Sequence, residues 1–145
     1  MARLEEIADL LEVRSLVDTY AFAADQRDRE RFAGVFTADG TLATGQGGRR
    51  YVGREDIANV LNWVEERFYK TMHFVGNQTA VIKGDVAQGL VYCLAHHISN
   101  EDGRQHDTVM FVRYVDRYVR TESGWRIEER DLNIEWQEER PLQIP

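Results

Sequence analysis

The stretch TMHFVGNQTAVIKGDVAQGLVYCLAHHISNEDGRQHDTVMFVRYVDRYVRTESGWRIEERDLNIEW, from Thr71 to Trp136, decides the fold. It is rich in β-branched and aromatic residues. It is cut only at Gly84-Asp85, at Asn100-Glu101-Asp102-Gly103 and at Glu122-Ser123-Gly124. Each cut is a turn signal of hairpin length, because Gly, Asn and Asp tolerate the backbone conformations that tight turns require. The spacing predicts strands over Thr71–Lys83, Val86–Ser99, Thr108–Arg120 and Trp125–Trp136, paired as an antiparallel meander. Long strands paired this way twist and curl, and a curled sheet needs something packed into its concave side.

The preceding residues supply it. Leu4, Ile7, Leu11, Leu16 and Tyr20 recur at helical spacing with Glu5, Glu6, Glu12, Arg14 and Asp18 between them, which predicts a helix to about Ala24. Asp25-Gln26-Arg27-Asp28 breaks it, and Asp28 suits the N-cap of a short helix, Arg29–Val35. Phe36-Thr37-Ala38-Asp39-Gly40 leads into a strand, Thr41–Thr44, closed by Gly45, Gly47 and Gly48 before Arg50-Tyr51-Val52. A third helix is expected over Arg54–Phe68, with Ile57, Val60, Leu61 and Val64 on one face. The polar tail, Gln137–Pro145, is expected to lie over the surface or across a pocket mouth. Helices followed by consecutive strands give an α+β order. The expected architecture is one domain over residues 1–145, a cone-shaped half-barrel with N-terminal helices packed into a strongly curved, mostly antiparallel sheet.

Composition narrows the function classes. A chain of 145 residues can bury one substantial core. A net charge of −7, with arginines interleaved among acids, argues against a nucleic-acid partner, which needs clustered cations. The one cysteine, Cys93, lies in the apolar run Leu90–Ala95, so it can form no disulfide within the chain and reads as a packed core residue. Met1–Glu12 lacks the apolar core of a signal peptide, and no apolar run approaches the roughly 20 residues of a membrane span. A cytoplasmic protein with no membrane partner is expected.

The segment Ala24-Asp25-Gln26-Arg27-Asp28 through Phe36-Thr37-Ala38-Asp39-Gly40 resembles the SnoaL-like family of NTF2-like proteins, which share a cystatin-like α+β barrel. Gly53-Arg54-Glu55-Asp56-Ile57, Thr71-Met72-His73-Phe74-Val75-Gly76-Asn77 and Gly124-Trp125-Arg126-Ile127-Glu128-Glu129-Arg130 extend the resemblance over nearly the whole chain. Within the family the sequence resembles a subgroup that includes scytalone dehydratase, a hexachlorocyclohexane dehydrochlorinase and a bile-acid 7α-dehydratase. The resemblance implies an Asp–His dyad, and Asp25 and His73 match its two positions. It further implies an arginine on the last strand, where Arg130 stands, and a tyrosine five residues before the Asp, where Tyr20 stands. A second pocket histidine falls on His97 or His96. The sequence also departs from its relatives. Ala24 and Thr44 stand where scytalone dehydratase has tyrosines, and a lysine and a tryptophan of the dehydrochlorinase have no clear match. The substrate is therefore not carried over.

The implied chemistry is coherent. A carboxylate bonded to one ring nitrogen of a histidine fixes its tautomer and raises its basicity, so the other nitrogen can take a proton. His73 would be the base, Arg130 would hold a developing enolate or departing anion, and Tyr20 would donate to a leaving hydroxyl. Neither a metal nor an organic cofactor is required. Taken singly, each residue has a plainer explanation: Asp25 as a helix-end acid, His73 as a satisfied core histidine, Arg130 as half of a solvated ion pair, Tyr20 as core. His96, His97 and His106 do not suggest a metal site, because adjacent strand residues point to opposite faces. Substrate-binding candidates are His97 with Phe22, Trp63, Met72, Phe111 and Trp136, a set that suits a hydrophobic, even polycyclic, small molecule.

The expected function is a cofactor-independent lyase of the dehydratase kind. An isomerase or polyketide-type cyclase using the same base is the near alternative. A non-catalytic ligand-binding module, or one supporting an oxygenase, is the distant one. A homo-oligomer, dimer or trimer, is expected through the exposed sheet face.

Overall fold

The computed structural model describes residues 2–45 and 47–143. In chain order the elements are α1 (Ala2–Gln26), α2 (Arg29–Gly34), β1 (Phe36–Thr44), β2 (Arg50–Val52), α3 (Arg54–Ala58), α4 (Val60–Arg67), β3 (Lys70–Lys83), β4 (Val86–Glu101), β5 (Arg104–Thr121) and β6 (Gly124–Pro141). The strands form one six-stranded sheet in the order β2-β1-β6-β5-β4-β3. All neighbours are antiparallel except β1 and β6, which run parallel. The sheet curves without closing, since β2 and β3 remain its two edges. This is the α+β half-barrel the hairpin spacing predicts.

Helix α1 lies in the concavity because its inward stripe is apolar. Val13, Leu16, Val17, Tyr20, Ala23 and Ala24 are buried in the same core as Phe36, Leu42, Val91, Tyr114, Trp125 and Ile127. The stripe continues through Leu4, Ile7 and Leu11, yet these stay exposed, so the periodicity outruns the part of the helix that the sheet covers. Asp9 pins α1 in place. Its carboxylate accepts from Arg120 Nη1 and Nη2, each at 2.8 Å, and from Trp125 Nε1 at 2.9 Å. Among the described residues no helix is long and apolar enough to cross a membrane.

Several boundaries differ from the sequence reading. The predicted third helix is two, α3 and α4, separated at Asn59, whose amide turns back to Asp56 O at 3.1 Å. Strand β5 begins at Arg104 rather than Thr108, because the tight turn sits on Asp102 and Gly103, both with positive φ. The stretch from Gln137 to Pro141 is no surface tail. It continues β6, with Gln137 opposite Met110 and Pro141 opposite His106. Backbone pairing with β5 holds it there although its side chains face solvent. Asp28 does cap α2 as predicted, its Oδ1 accepting from Arg31 N at 3.0 Å. Gly89 in β4 is required by a close approach, since a Cβ there would lie 2.4 Å from Thr79 O of β3.

Candidate functional site

The site starts where α1 stops. Arg27 adopts φ of 58°, a left-handed conformation usually left to glycine, which costs a non-glycine residue about 1 kcal/mol. Arg27 N donates to Ala24 O at 3.2 Å and Asp28 N to Ala23 O at 2.9 Å, a Schellman closure of the helix. This ending turns Asp25, in the last helical turn, toward β3.

There the Asp25 carboxylate gathers several donors. Oδ1 accepts from the Thr71 hydroxyl at 2.9 Å and lies 2.7 Å from His73 Nδ1, while Oδ2 accepts from His73 N at 2.9 Å. Partial burial works to raise the Asp25 pKa, but the bonds from His73 and Thr71 outweigh it, and the carboxyl is held below its ordinary value. An ionised acceptor at Nδ1 calls for the proton on Nδ1 and leaves Nε2 as the unprotonated nitrogen. The His73 side chain is 11% exposed and borders a cavity of about 370 Å³ between the helices and the inner face of the sheet.

His97 reaches the same cavity from β4, its ring 5.6 Å from that of His73 and nearly perpendicular to it. Its Nδ1 lies 3.1 Å from Ala95 O and 3.3 Å from Thr108 O. Carbonyls only accept, so Nδ1 carries hydrogen and Nε2 is an acceptor. Burial, with the neighbouring His73 adding to it, pushes the His97 imidazole down to about 4, so it is neutral at ordinary pH. His96 points away from the cavity, and its Nδ1 lies 2.6 Å from Asp107 Oδ2.

Tyr20 forms part of the cavity wall beside Tyr114, and burial pushes its hydroxyl up to about 12, so it remains protonated. Arg130 stands behind that wall. Its side chain is fully buried and bonds Asp116 with two nitrogens, Nε at 2.8 Å and Nη2 at 2.7 Å. The guanidinium lies 4.4 Å from the centre of the Tyr20 ring and 4.1 Å from that of Tyr114. Its Nη1 is buried, with no partner at hydrogen-bond geometry among the described residues.

The model of a SnoaL-like domain matches residues 5–131 of the chain. An uncharacterised protein of Mycobacterium tuberculosis is 34% identical over 132 residues, covering 88% of this chain and 86% of the relative. The chain belongs to the SnoaL-like family. Among solved structures, this SnoaL-like chain superposes on the hexachlorocyclohexane dehydrochlorinase LinA-type3 of Novosphingobium barchaimii with a TM-score of 0.84, at 19% identity and 99% coverage of both chains. A Novosphingobium aromaticivorans protein provisionally named scytalone dehydratase gives a TM-score of 0.82 at 17% identity, covering 95% of this chain and 91% of its own. At these identities the likeness is one of fold.

Within the SnoaL-like half-barrel the structure brings Asp25, His73, His97, Tyr20 and Trp63 to one cavity or its rim, with Arg130 directly behind. Four predicted binding residues lie elsewhere. Phe22 is exposed on α1, and Met72 is exposed on the outer face of β3, because its neighbours Thr71 and His73 take the inward positions. Phe111 and Trp136 stack on each other at 4.5 Å, against a separate outer cavity of about 330 Å³ that Phe74 and Tyr92 also line. The plainer explanation of Arg130, half of a solvated ion pair, does not hold either, since its pair with Asp116 is fully buried. Thr71 escaped the sequence reading although it stands two residues from His73 in a strand and so shares its face. Asp116 and Tyr114 carry the same period-two signal on β5. Nothing in the sequence marks the left-handed turn at Arg27.

Proposed function

We propose that this SnoaL-like protein is a cofactor-independent lyase of the dehydratase kind, with His73 as general base and Asp25 as its orienting partner. The observation that carries the reading is the 2.7 Å contact between His73 Nδ1 and Asp25 Oδ1 at the edge of a largely apolar cavity. In this reading Nε2 removes a proton from carbon beside an electron-withdrawing group, and the carboxylate stabilises the imidazolium that forms. Loss of hydroxide across the adjacent bond, protonated as it leaves, completes a dehydration. Tyr20 is the donor to the leaving oxygen. Arg130 acts through the Tyr20–Tyr114 wall, its charge favouring the enolate that develops on the far side. His97 Nε2 accepts from a substrate hydroxyl, and Trp63 packs on the hydrophobic body.

An isomerase or a polyketide-type cyclase would share the first proton abstraction and differ only in the fate of the carbanion. A second reading, a binding or oxygenase-supporting module, draws support from the exposed Phe74, Tyr92 and Trp136 on the outer sheet face. That same face is where we place self-association into a dimer or trimer.

The test uses an activated C–H acid, 5-nitrobenzisoxazole, whose N–O bond breaks to give a coloured phenolate once a base takes the proton on C3 of the isoxazole ring. Cyclic β-hydroxy ketones, followed by enone absorbance, form the companion series. His73→Phe should lose about 10²–10⁴-fold in rate on the probe, and Asp25→Asn should fall in the same direction. A wild-type rate retained by His73→Phe contradicts the assignment.

A further inference from the structure

The dyad does not end at Asp25. Thr71 Oγ1, which donates to Asp25 Oδ1 at 2.9 Å, itself accepts from Arg27 Nη1 at 2.8 Å. The same guanidinium reaches Ala24 O at 2.6 Å with Nη1 and Phe68 O at 3.4 Å with Nη2, tying the end of α1 to the entry of β3. A hydroxyl has one hydrogen. With a cation donating to its oxygen, Thr71 has no orientation as favourable as the one that points this hydrogen at Asp25. The cation is thus held one residue back from the carboxylate. In direct contact it would compete with the imidazolium for the same negative charge; through Thr71 it orders Asp25 Oδ1, which the hydroxyl and His73 Nδ1 share, without itself touching the carboxylate. The side chain that does this belongs to the one residue of the helix ending held in a left-handed conformation, where strain persists only if the surroundings enforce it.

We propose that Arg27 and Thr71 are positioning residues of the site, which lock Asp25 as an ordered acceptor and thereby keep the proton of His73 on Nδ1. The proposal rests on the dyad reading, because it gives these residues no part in the chemistry except through Asp25 and His73. It extends the site to a pair that makes no contact with the reacting atoms and that includes an arginine held in a left-handed conformation.

The experiment compares wild type with Thr71→Val, Thr71→Ser, Arg27→Gly and Asp25→Asn. Thr71→Val keeps shape and removes the hydroxyl. Arg27→Gly suits the left-handed backbone and removes the guanidinium. For each protein, ¹⁵N–¹H correlation of the neutral His73 ring reads which nitrogen bears hydrogen, and 5-nitrobenzisoxazole opening reads base strength; circular dichroism verifies the fold. Thr71→Val and Arg27→Gly are expected to mix Nε2–H tautomer into His73 and to lower the rate roughly tenfold, the scale of a lost hydrogen bond to a charged group. Thr71→Ser is expected to restore both. If His73 keeps its wild-type tautomer and rate in both Thr71→Val and Arg27→Gly while Asp25→Asn changes them, the positioning proposal falls and the dyad stands. If Asp25→Asn also leaves the tautomer unchanged, the dyad reading falls and takes this proposal with it.

Discussion

His97 shows how one buried side chain ties the site to stability. Its value is about 4 in the folded chain against an ordinary 6.5, so between those values the unfolded chain binds the extra proton. Stability from this residue is therefore intact above about pH 6.5 and declines as the pH falls toward 4. At about 1.4 kcal/mol per unit the loss approaches roughly 3 kcal/mol. Asp25, held below its ordinary value of 3.8, contributes stability above that value and loses it only at still lower pH, outside the His97 window. Urea midpoints measured from about pH 7 to 4 should fall less steeply in His97→Gln than in wild type. Equal slopes would mean that the buried imidazole is not held neutral. Arg130 and Asp116 make a second test at this scale. Arg130→Met leaves a buried carboxylate uncompensated and should cost about 3–5 kcal/mol, whereas pairing it with Asp116→Leu should recover part of the loss in thermal melts. Of the candidate site residues, those the structure brings together at the cavity are ones whose position along an element fixes their direction. Asp25 at a helix end and His73 on a strand are of this kind. The burial of Arg130 behind the cavity wall depends on Asp116 across the β5–β6 pair and on two tyrosine faces, which no local pattern encodes.

The elements were legible wherever turn chemistry was strong. Gly84-Asp85 and Glu122-Ser123-Gly124 lie where the chain turns, and Asp28 caps α2 through the hydrogen bond its side chain was expected to make. Asp28→Ala should lower stability by about 1 kcal/mol, read as a fall of a few degrees in Tm with the site chemistry unchanged. Elements held by backbone pairing alone were not legible. The last residues of β6 are exposed Glu138, Glu139 and Arg140, whose polarity reads as a tail although the β5 backbone extends to meet them. Nor does sequence show that β1 runs parallel beside β6, since parallel pairing joins segments far apart in the chain, from Phe36 with Ile127 to Thr44 with Leu132. The break at Asn59 is equally silent, because Ile57, Leu61 and Val64 keep a helical period across it.

For the whole molecule, the half-barrel could be read from the order of helices and hairpins, but the assignment of its two faces could not. Alternation identifies an inner face only when the other is polar. Here Phe74, Tyr92, Leu94, Phe111 and Trp136 make the outer face apolar too, and an apolar side chain in such a strand can belong to either. This explains why Met72, Phe111 and Trp136 were expected in the pocket and lie outside it. The same property motivates the proposed self-association. Sedimentation of wild type should give a dimer or trimer, and Trp136→Arg combined with Phe74→Glu should shift it to monomer without loss of secondary structure. A monomeric wild type would leave that face to a different partner.

The proposed catalysis turns on which nitrogen of His73 carries hydrogen. We would read it directly, by ¹⁵N–¹H correlation of the wild-type ring under conditions where the imidazole is neutral. Hydrogen on Nδ1, facing Asp25, with Nε2 bare toward the cavity, is the result the dyad predicts. Hydrogen on Nε2 would place a donor where the base must be and would contradict the proposed catalysis.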